Sequence, residues 1–366
     1  MARLLQSLTG PTLLVLLMLL PGCGSGGGGG ATPTPGGTGN PGGGSSGGSG
    51  PQVPGSQPPS AAVINRTDPV STDPGGLTLN PVTRKLYFAA FGAGLLAEID
   101  ADSNEVTRTV QMSGGPIRAA VDSATNTLYV CSIRDDSLTV IDGATLDVVA
   151  TVPVGRTPRS VALIPALHNA YTANYLDGTV SVVDTISNRA IATIDVGGFP
   201  RANAADASAH RLFVTNYKDD SVSVIDADTN RVIATVPAGS LPGYIHVNPE
   251  SHKAYATCYG AALLSVFGGD GAAGPTAQVG ATPSGVQTST ALDRICVASE
   301  GGRAVWVLRL SDNAALGQAA VDGVPQAVAI DSAKGRVYAA DYAARKVFCI
   351  DIEARTVVKT IDLSRF

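Results

Sequence analysis

"LFVTNYKDDSVSVID", residues 212–226, decides the fold. Nearly the same text stands at 170–184 as "AYTANYLDGTVSVVD" and at 128–142 as "LYVCSIRDDSLTVID". Taking its aromatic as an anchor, the pattern falls at Tyr87, Tyr129, Tyr171, Phe213, Tyr255, Cys296 and Tyr338, in steps of 42, 42, 42, 42, 41 and 42 residues. Thirteen residues after the anchor comes Asp100, Asp142, Asp184, Asp226 or Asp351, with Gly268 and Arg309 in the two degenerate units. Seven units at this period are a repeat architecture, in which each unit is one supersecondary element stacked on its neighbours.

Each unit reads as four short strands. In the fourth they are "RANAAD" (201–206), "RLFVTN" (211–216), "SVSVID" (221–226) and "RVIATV" (231–236). Val, Ile, Thr and aromatics fill the runs, and Gly, Asp, Asn and Pro punctuate them. No unit contains a stretch suited to a crossover helix, so the strands are antiparallel. Four antiparallel strands per unit, seven times over, predict an all-β, seven-bladed β-propeller. The third strands are apolar on both faces because neighbouring blades cover both. This burial, with an uncharged linker, explains a charged fraction of 15%, against roughly 25% in ordinary soluble domains.

"YTANYLDGTVSVVD", "FVTNYKDDSVSVID", "VGGFP" (196–200) and "TNRVIATV" (229–236) resemble the YVTN-repeat β-propeller family, over about residues 63–366. The resemblance implies a seven-bladed propeller of the surface-layer-like or secreted bacterial kind. It says little about activity, because propellers host many unrelated ones.

The chain divides into a leader (1–22), a linker (23–60) and the propeller (61–366). Arg3 and the apolar run Leu13 to Leu20 read as a signal peptide. "LLPGC", Leu19 to Cys23, resembles a lipobox and makes Cys23 the expected lipidation site. Two or more acyl chains, at about 0.8 kcal/mol per buried CH2, hold a protein stably on a membrane. Gly24 to Ser60 is almost wholly Gly, Pro, Ser and Thr. Such a segment is expected to be a disordered tether, spanning roughly 30–35 Å on average. These readings place the propeller in the bacterial cell envelope, outside the cytoplasm, on the periplasmic side or at the surface. Two segments compete to close the ring: "TVVKTIDL" (356–363), completing the seventh unit, and "AAVINRT" (61–67), ahead of the first.

Loops of a four-stranded blade alternate between two faces. The loops joining second to third strands, and each blade to the next, share the face called top here. His168, His210 and His252 stand three residues before their anchors, in first-hairpin turns on the bottom face, where Asn126 and Gly335 stand in other units. Equivalent turns are dispersed around a ring, so these histidines read as left-handed turn residues and no metal site is expected. Two residues break the pattern. His246 stands where other first strands have Ala, Thr or, at Gln287, Gln, on the central channel, and is a weak candidate for a general base. Glu98 stands where Val140, Val182, Val224 and Val266 occupy other third strands. It is a weak catalytic candidate too, and is expected to be solvent-exposed at the first blade.

The top face collects the binding candidates. Four residues after the anchor come Phe91, Tyr175, Tyr217, Tyr259 and Tyr342, with Asn174, Asn216 and Asp341 preceding three of them. The inter-blade loops bring Arg118, Arg159, Arg201 and Tyr244 to the same side. Tyr and Arg are the side chains that dominate binding hot spots. The competing reading is that these residues only pin the loops. Cys131, Cys258, Cys296 and Cys349 fall inside strands of four different units and read as buried thiols rather than a disulfide frame.

Nucleophile-elbow, P-loop and zinc-protease motifs are absent, and a net charge of -5 argues against a nonspecific nucleic-acid binder. The expectation is a monomeric, non-catalytic propeller without cofactor, anchored to a membrane through Cys23, whose top face binds a protein, peptide or glycan. The alternatives are a metal-assisted lactonase or lyase with its site at the channel, and a structural envelope component.

Overall fold

The computed structural model describes residues 76–366. Within them, 28 strands form seven four-stranded antiparallel sheets, each built from one contiguous stretch of chain. Blade 1 runs from β1 (Leu77–Asn80) to β4 (Glu105–Gln111), blade 2 from β5 (Pro116–Asp122) to β8 (Val148–Pro153), and blade 3 from β9 (Pro158–Ile164) to β12 (Arg189–Asp195). Blade 4 runs from β13 (Pro200–Asp206) to β16 (Arg231–Pro237), and blade 5 from β17 (Pro242–Val247) to β20 (Ala273–Gln278). Blade 6 runs from β21 (Pro283–Ser289) to β24 (Ala315–Ala320), and blade 7 from β25 (Ala327–Asp331) to β28 (Thr356–Asp362). The predicted propeller is the observed fold. Signal peptide, Cys23, tether and the candidate closing segment 61–67 lie outside the described residues.

Burial follows strand order. Second and third strands are buried on both faces, as in Arg211–Asn216 and Ser221–Asp226 of blade 4. Outermost strands alternate between exposed and half-buried, as in β16, because only their inner face meets a neighbour. Third and fourth strands slip register by about one residue at corresponding positions in each blade, at Glu98/Ile99 in blade 1 and Val224/Ile225 in blade 4. A bulge adds twist, and twist lets flat modules fan around an axis.

One turn position fixes the first hairpin of each blade. Arg84, Asn126, His168, His210, His252, Asp293 and Gly335 all have φ between 49 and 62°. The histidines are thus left-handed turn residues, as their alternation with Asn and Gly implies. The same position also bolts blades together. Asn80 Nδ2 donates to Asn126 Oδ1 (2.8 Å). His252 Nδ1 donates to the buried Asp206 of blade 4 (2.8 Å). Arg84 Nη1 donates to the buried Asp331 of blade 7 (2.9 Å).

That last pair closes the ring. Blade 7 supplies its own fourth strand, β28, paired to Lys346–Asp351, so 356–363 is the outer strand of a complete blade. The joint between blades 7 and 1 is a shared core. Leu77, Phe88 and Ile99 pack with Ala329, Tyr338 and Ile361. Across it the anchor Tyr338 donates from its hydroxyl to Ala101 O (2.9 Å) and Asn104 Oδ1 (3.0 Å).

Candidate functional site

First strands of all seven blades line a central channel of about 390 Å³. Its lining side chains are mostly small, such as Ala120, Val161, Ala204 and Val286, because first strands crowd near the axis, and the surface it exposes is more polar than apolar. Polar groups interrupt them. Ser160 Oγ donates to Asn203 Oδ1 (2.7 Å), Asn203 Nδ2 to Tyr171 O (2.8 Å), and Gln287 Oε1 accepts from Ile330 N (2.9 Å). His246 faces this channel from β17. Its Nε2 is buried without a hydrogen-bond partner among the described residues. Burial pushes its pKa down to about 4, so the imidazole is neutral at physiological pH.

The top mouth is built from paired cations and rings. Arg118 leaves blade 2 and places its guanidinium carbon 3.9 Å from the ring centroid of Tyr244 in blade 5, across the channel. Arg159 lies 3.9 Å over Tyr175 and Arg201 4.8 Å over Tyr217, each within its own blade. Tyr175 stacks against Phe199 of the following loop at 4.8 Å, and Tyr342 stacks on Phe88 of blade 1 at 5.1 Å. Phe91 carries Arg134 of blade 2 at 4.7 Å. Tyr259 is half-buried on the same face, and burial raises its phenol above the usual range. Cation–π pairs of this kind contribute about 0.5–2 kcal/mol each, more as water is excluded. They fix each guanidinium over its ring, with Arg159 itself buried and the Nε of Arg159 and Arg201 enclosed.

Not every candidate reaches this surface. Asn174 and Asn216 are fully buried. Asn174 Nδ2 donates to Thr179 Oγ1 (3.0 Å) and Ser181 Oγ (2.8 Å), and Asn216 Nδ2 to Ser221 Oγ (3.1 Å) and Ser223 Oγ (2.9 Å). Both amides staple the second strand of their blade to the third. The buried Asp341 likewise pins a loop, accepting from Val324 N at 2.8 Å.

Glu98, expected at the surface, is 2% exposed. Arg108, one strand outward, turns back over it. Arg108 Nε donates to Oε1 (3.1 Å), Nη2 to Oε2, and Thr107 Oγ1 to Oε1 (2.6 Å). The guanidinium also reaches Ala144 O of blade 2 (2.8 Å). Glu98 is thus half of an inter-blade tie, and it does not line the channel with His246.

Glu300 is the residue that sequence reasoning missed. It stands four residues after Cys296, at the repeat position of Tyr175, Tyr217, Tyr259 and Tyr342. Burial pushes its carboxyl up to about 7, against the opposing pull of Arg201 and of hydrogen bonds to Gln326 and Ser284. In the unfolded chain it titrates near 4.3. Its neutral form is therefore favoured by folding, and the stability it allows is present below about pH 4.3 and lost as pH rises through 7. Glu300→Gln should stabilise the fold by about 1–3 kcal/mol at pH 8 and by almost nothing at pH 4. Urea midpoints at the two pH values check this.

The four cysteines of the described residues are free and buried, and burial pushes the thiols of Cys131 and Cys296 up to about 12. No group of three or more His, Cys, Asp or Glu gathers as a metal-ligand set among the described residues.

No protein-family model and no curated protein matches this chain. Among solved structures, it is similar to a chain of Kuenenia stuttgartiensis hydrazine synthase, at a TM-score of 0.69 and 17% identity, over 76% of this chain and 95% of that one. At that identity the likeness carries the propeller architecture alone.

Proposed function

We propose that this chain is a non-catalytic, lipid-anchored, extracytoplasmic propeller of the YVTN-repeat kind, whose top face binds a protein, peptide or glycan. One observation carries the reading. Arg118, Arg159 and Arg201 are each laid on a tyrosine around one channel mouth. Arg159 and Tyr244 are buried and brace the mouth from beneath, while the half-buried Arg118, Arg201, Tyr175 and Tyr217 offer preorganised amphipathic side chains with little entropy left to lose on binding. A general base at His246 would want a carboxylate partner, and no Asp or Glu lines the channel among the described residues.

The test is a crosslinking pull-down from native envelopes with wild type and with Tyr175→Leu/Tyr217→Leu/Arg201→Gln, which keeps most of the apolar volume. Partner capture should fall at least ten-fold, while stability stays within about 1 kcal/mol. Unchanged capture refutes the surface. Collapse of the fold shows that these residues only pin the loops.

A further inference from the structure

At the bottom of the joint between blades 2 and 3 lies a pocket of about 270 Å³, where three other joints carry a bolt. In those joints the last residue of a first strand reaches the left-handed turn of the next blade: Asn80 bonds Asn126, Asp206 bonds His252 and Asp331 bonds Arg84. The same rule would join Asp122 to His168. Instead Asp122 Oδ1 accepts from Ala124 N of its own turn (3.0 Å), and both side chains line the pocket. A second element is missing too. Across the strand register, blade 4 sets Arg211 between Asp206 and Asp226, blade 7 sets Arg336 between Asp331 and Asp351, and blade 1 sets Lys85 between Asn80 and Asp100. Blade 2 sets Thr127 between Asp122 and Asp142. Cross-strand partners share one face of a sheet, so two carboxylates border the pocket with a hydroxyl where sibling blades carry a cation. No Lys or Arg pairs with Asp122 or Asp142 among the described residues. Blade 1 shows which cation the frame takes. Lys85 Nζ donates to Asp100 Oδ2 at 2.9 Å, whereas Arg211 sends its guanidinium on to Gly269 O of blade 5 (2.6 Å). Val149, Pro165 and the ring of Tyr129, 4% exposed, complete the lining, and such surface beds the alkyl stem of a long cationic group. The acids do not converge as a metal-ligand set among the described residues.

We propose that this pocket binds a primary alkylammonium. The ammonium takes the place that Lys85 Nζ has in blade 1, between the Asp122 and Asp142 carboxylates and beside the Thr127 hydroxyl, while the stem lies against Val149, Pro165 and the Tyr129 ring. An ammonium has three donors and no acceptor, which suits a frame of acceptors from three adjacent strands. Asp142 and His168 are exposed, so the pocket is open to solvent, and the stem can belong to a free amine or to a lysine side chain of a partner. A half-open site screened by salt holds its ligand weakly. This site lies on the face opposite the arginine and tyrosine mouth and is independent of the top-face reading: either can fail while the other stands.

The experiment uses the full-length protein with 13C-labelled histidine. The chain has 4 histidines, so few signals arise, and His168 reports from the pocket wall. His168→Asn assigns its signal, because Asn126 holds the same left-handed turn, with φ 54° at both positions. The probes are pentylamine, Nα-acetyl-lysine methylamide, 1-pentanol and calcium chloride, each titrated through the millimolar range at about pH 7.5, where alkylamines are protonated. Pentylamine should shift the His168 signal saturably and leave His210, His246 and His252 unmoved. Asp122→Asn should weaken pentylamine by about 3–5-fold, the loss of one partly exposed charge contact. Thr127→Lys gives blade 2 an ammonium of its own, as Lys85 does in blade 1, and should abolish the shift with the fold intact. 1-Pentanol and calcium should leave the signal unmoved. Acetyl-lysine methylamide binding as tightly as pentylamine names a partner's lysine as the source, and weaker binding names a free amine. The proposal is overturned if pentylamine does not move the His168 signal, if pentanol or calcium moves it equally, or if Thr127→Lys binds pentylamine like wild type. If either variant fails to fold, the amine–alcohol comparison on wild type decides alone.

Discussion

Replacing Arg108 by alanine should destabilise the propeller by about 3–5 kcal/mol, and adding Glu98→Val should return most of that loss. The first figure is the cost of leaving a carboxylate buried without its cation. Glu98 is 2% exposed and both its oxygens accept from Arg108, so truncation of the guanidinium strands the charge between blades. The second half of the prediction comes from the repeat itself. Glu98 pairs in register with Arg108, whereas Val140 pairs with Ala150, Val182 with Ala192 and Val224 with Ala234. The double variant Glu98→Val/Arg108→Ala therefore imports a pair that the same backbone already packs three times elsewhere. Exchange of a buried ion pair for apolar residues is often neutral or stabilising. Urea denaturation of the two single variants and the double measures the coupling. A loss under about 1 kcal/mol for Arg108→Ala would mean that Glu98 is hydrated in solution.

This pair shows how far the repeat can be read. Glu98 is visible in sequence as an anomaly, since its siblings are valine. Its partner is equally visible once strands are paired: Arg108 stands where siblings carry Ala150, Ala192 and Ala234. Two departures at facing positions of one unit signal a compensated pair, and one departure taken alone signals exposure. Glu300 escaped for the opposite reason. Its unit is anchored on Cys296, so the aromatic that marks the repeat had itself been replaced. The Arg118–Tyr244 contact has a faint trace. Both stand eleven residues before their anchors, whereas Arg159 and Arg201 stand twelve before theirs. Nothing in the spacing joins blade 2 to blade 5, because side chains that meet across an axis leave no periodic mark. The architecture was legible because seven imperfect copies average out local noise. The mouth was legible only as a roster of types, since a cation–π pair depends on orientation.

The joint between blades 7 and 1 should be where the ring opens, and Arg84→Asn should bring this about at a cost of about 2–4 kcal/mol. Every other pair of neighbouring blades is also joined by the chain, whereas among the described residues these two meet through side chains and packing. Asn is the informative replacement. Arg84 has φ 58° and Asn126, at the same repeat position, has φ 54°, so asparagine takes the left-handed turn without strain and isolates the loss of the guanidinium. What remains is Asp331, 1% exposed, with Oδ1 accepting from Ala333 N (3.1 Å) and Lys334 N (3.3 Å) and Oδ2 deprived of Arg84. His252→Asn makes the matched control. It removes the corresponding hydrogen bond to Asp206, but at a joint that the chain itself spans from β16 to β17, so its loss should stay local. Native-state hydrogen exchange separates the two. In Arg84→Asn, amides of β1, β25 and β28 should lose protection ahead of the rest and unfolding should accelerate, while in His252→Asn the most protected amides of every blade should keep their order. Equal loss of protection around the whole ring in Arg84→Asn would show that closure is carried by the shared apolar core of Leu77, Tyr338 and Ile361 alone.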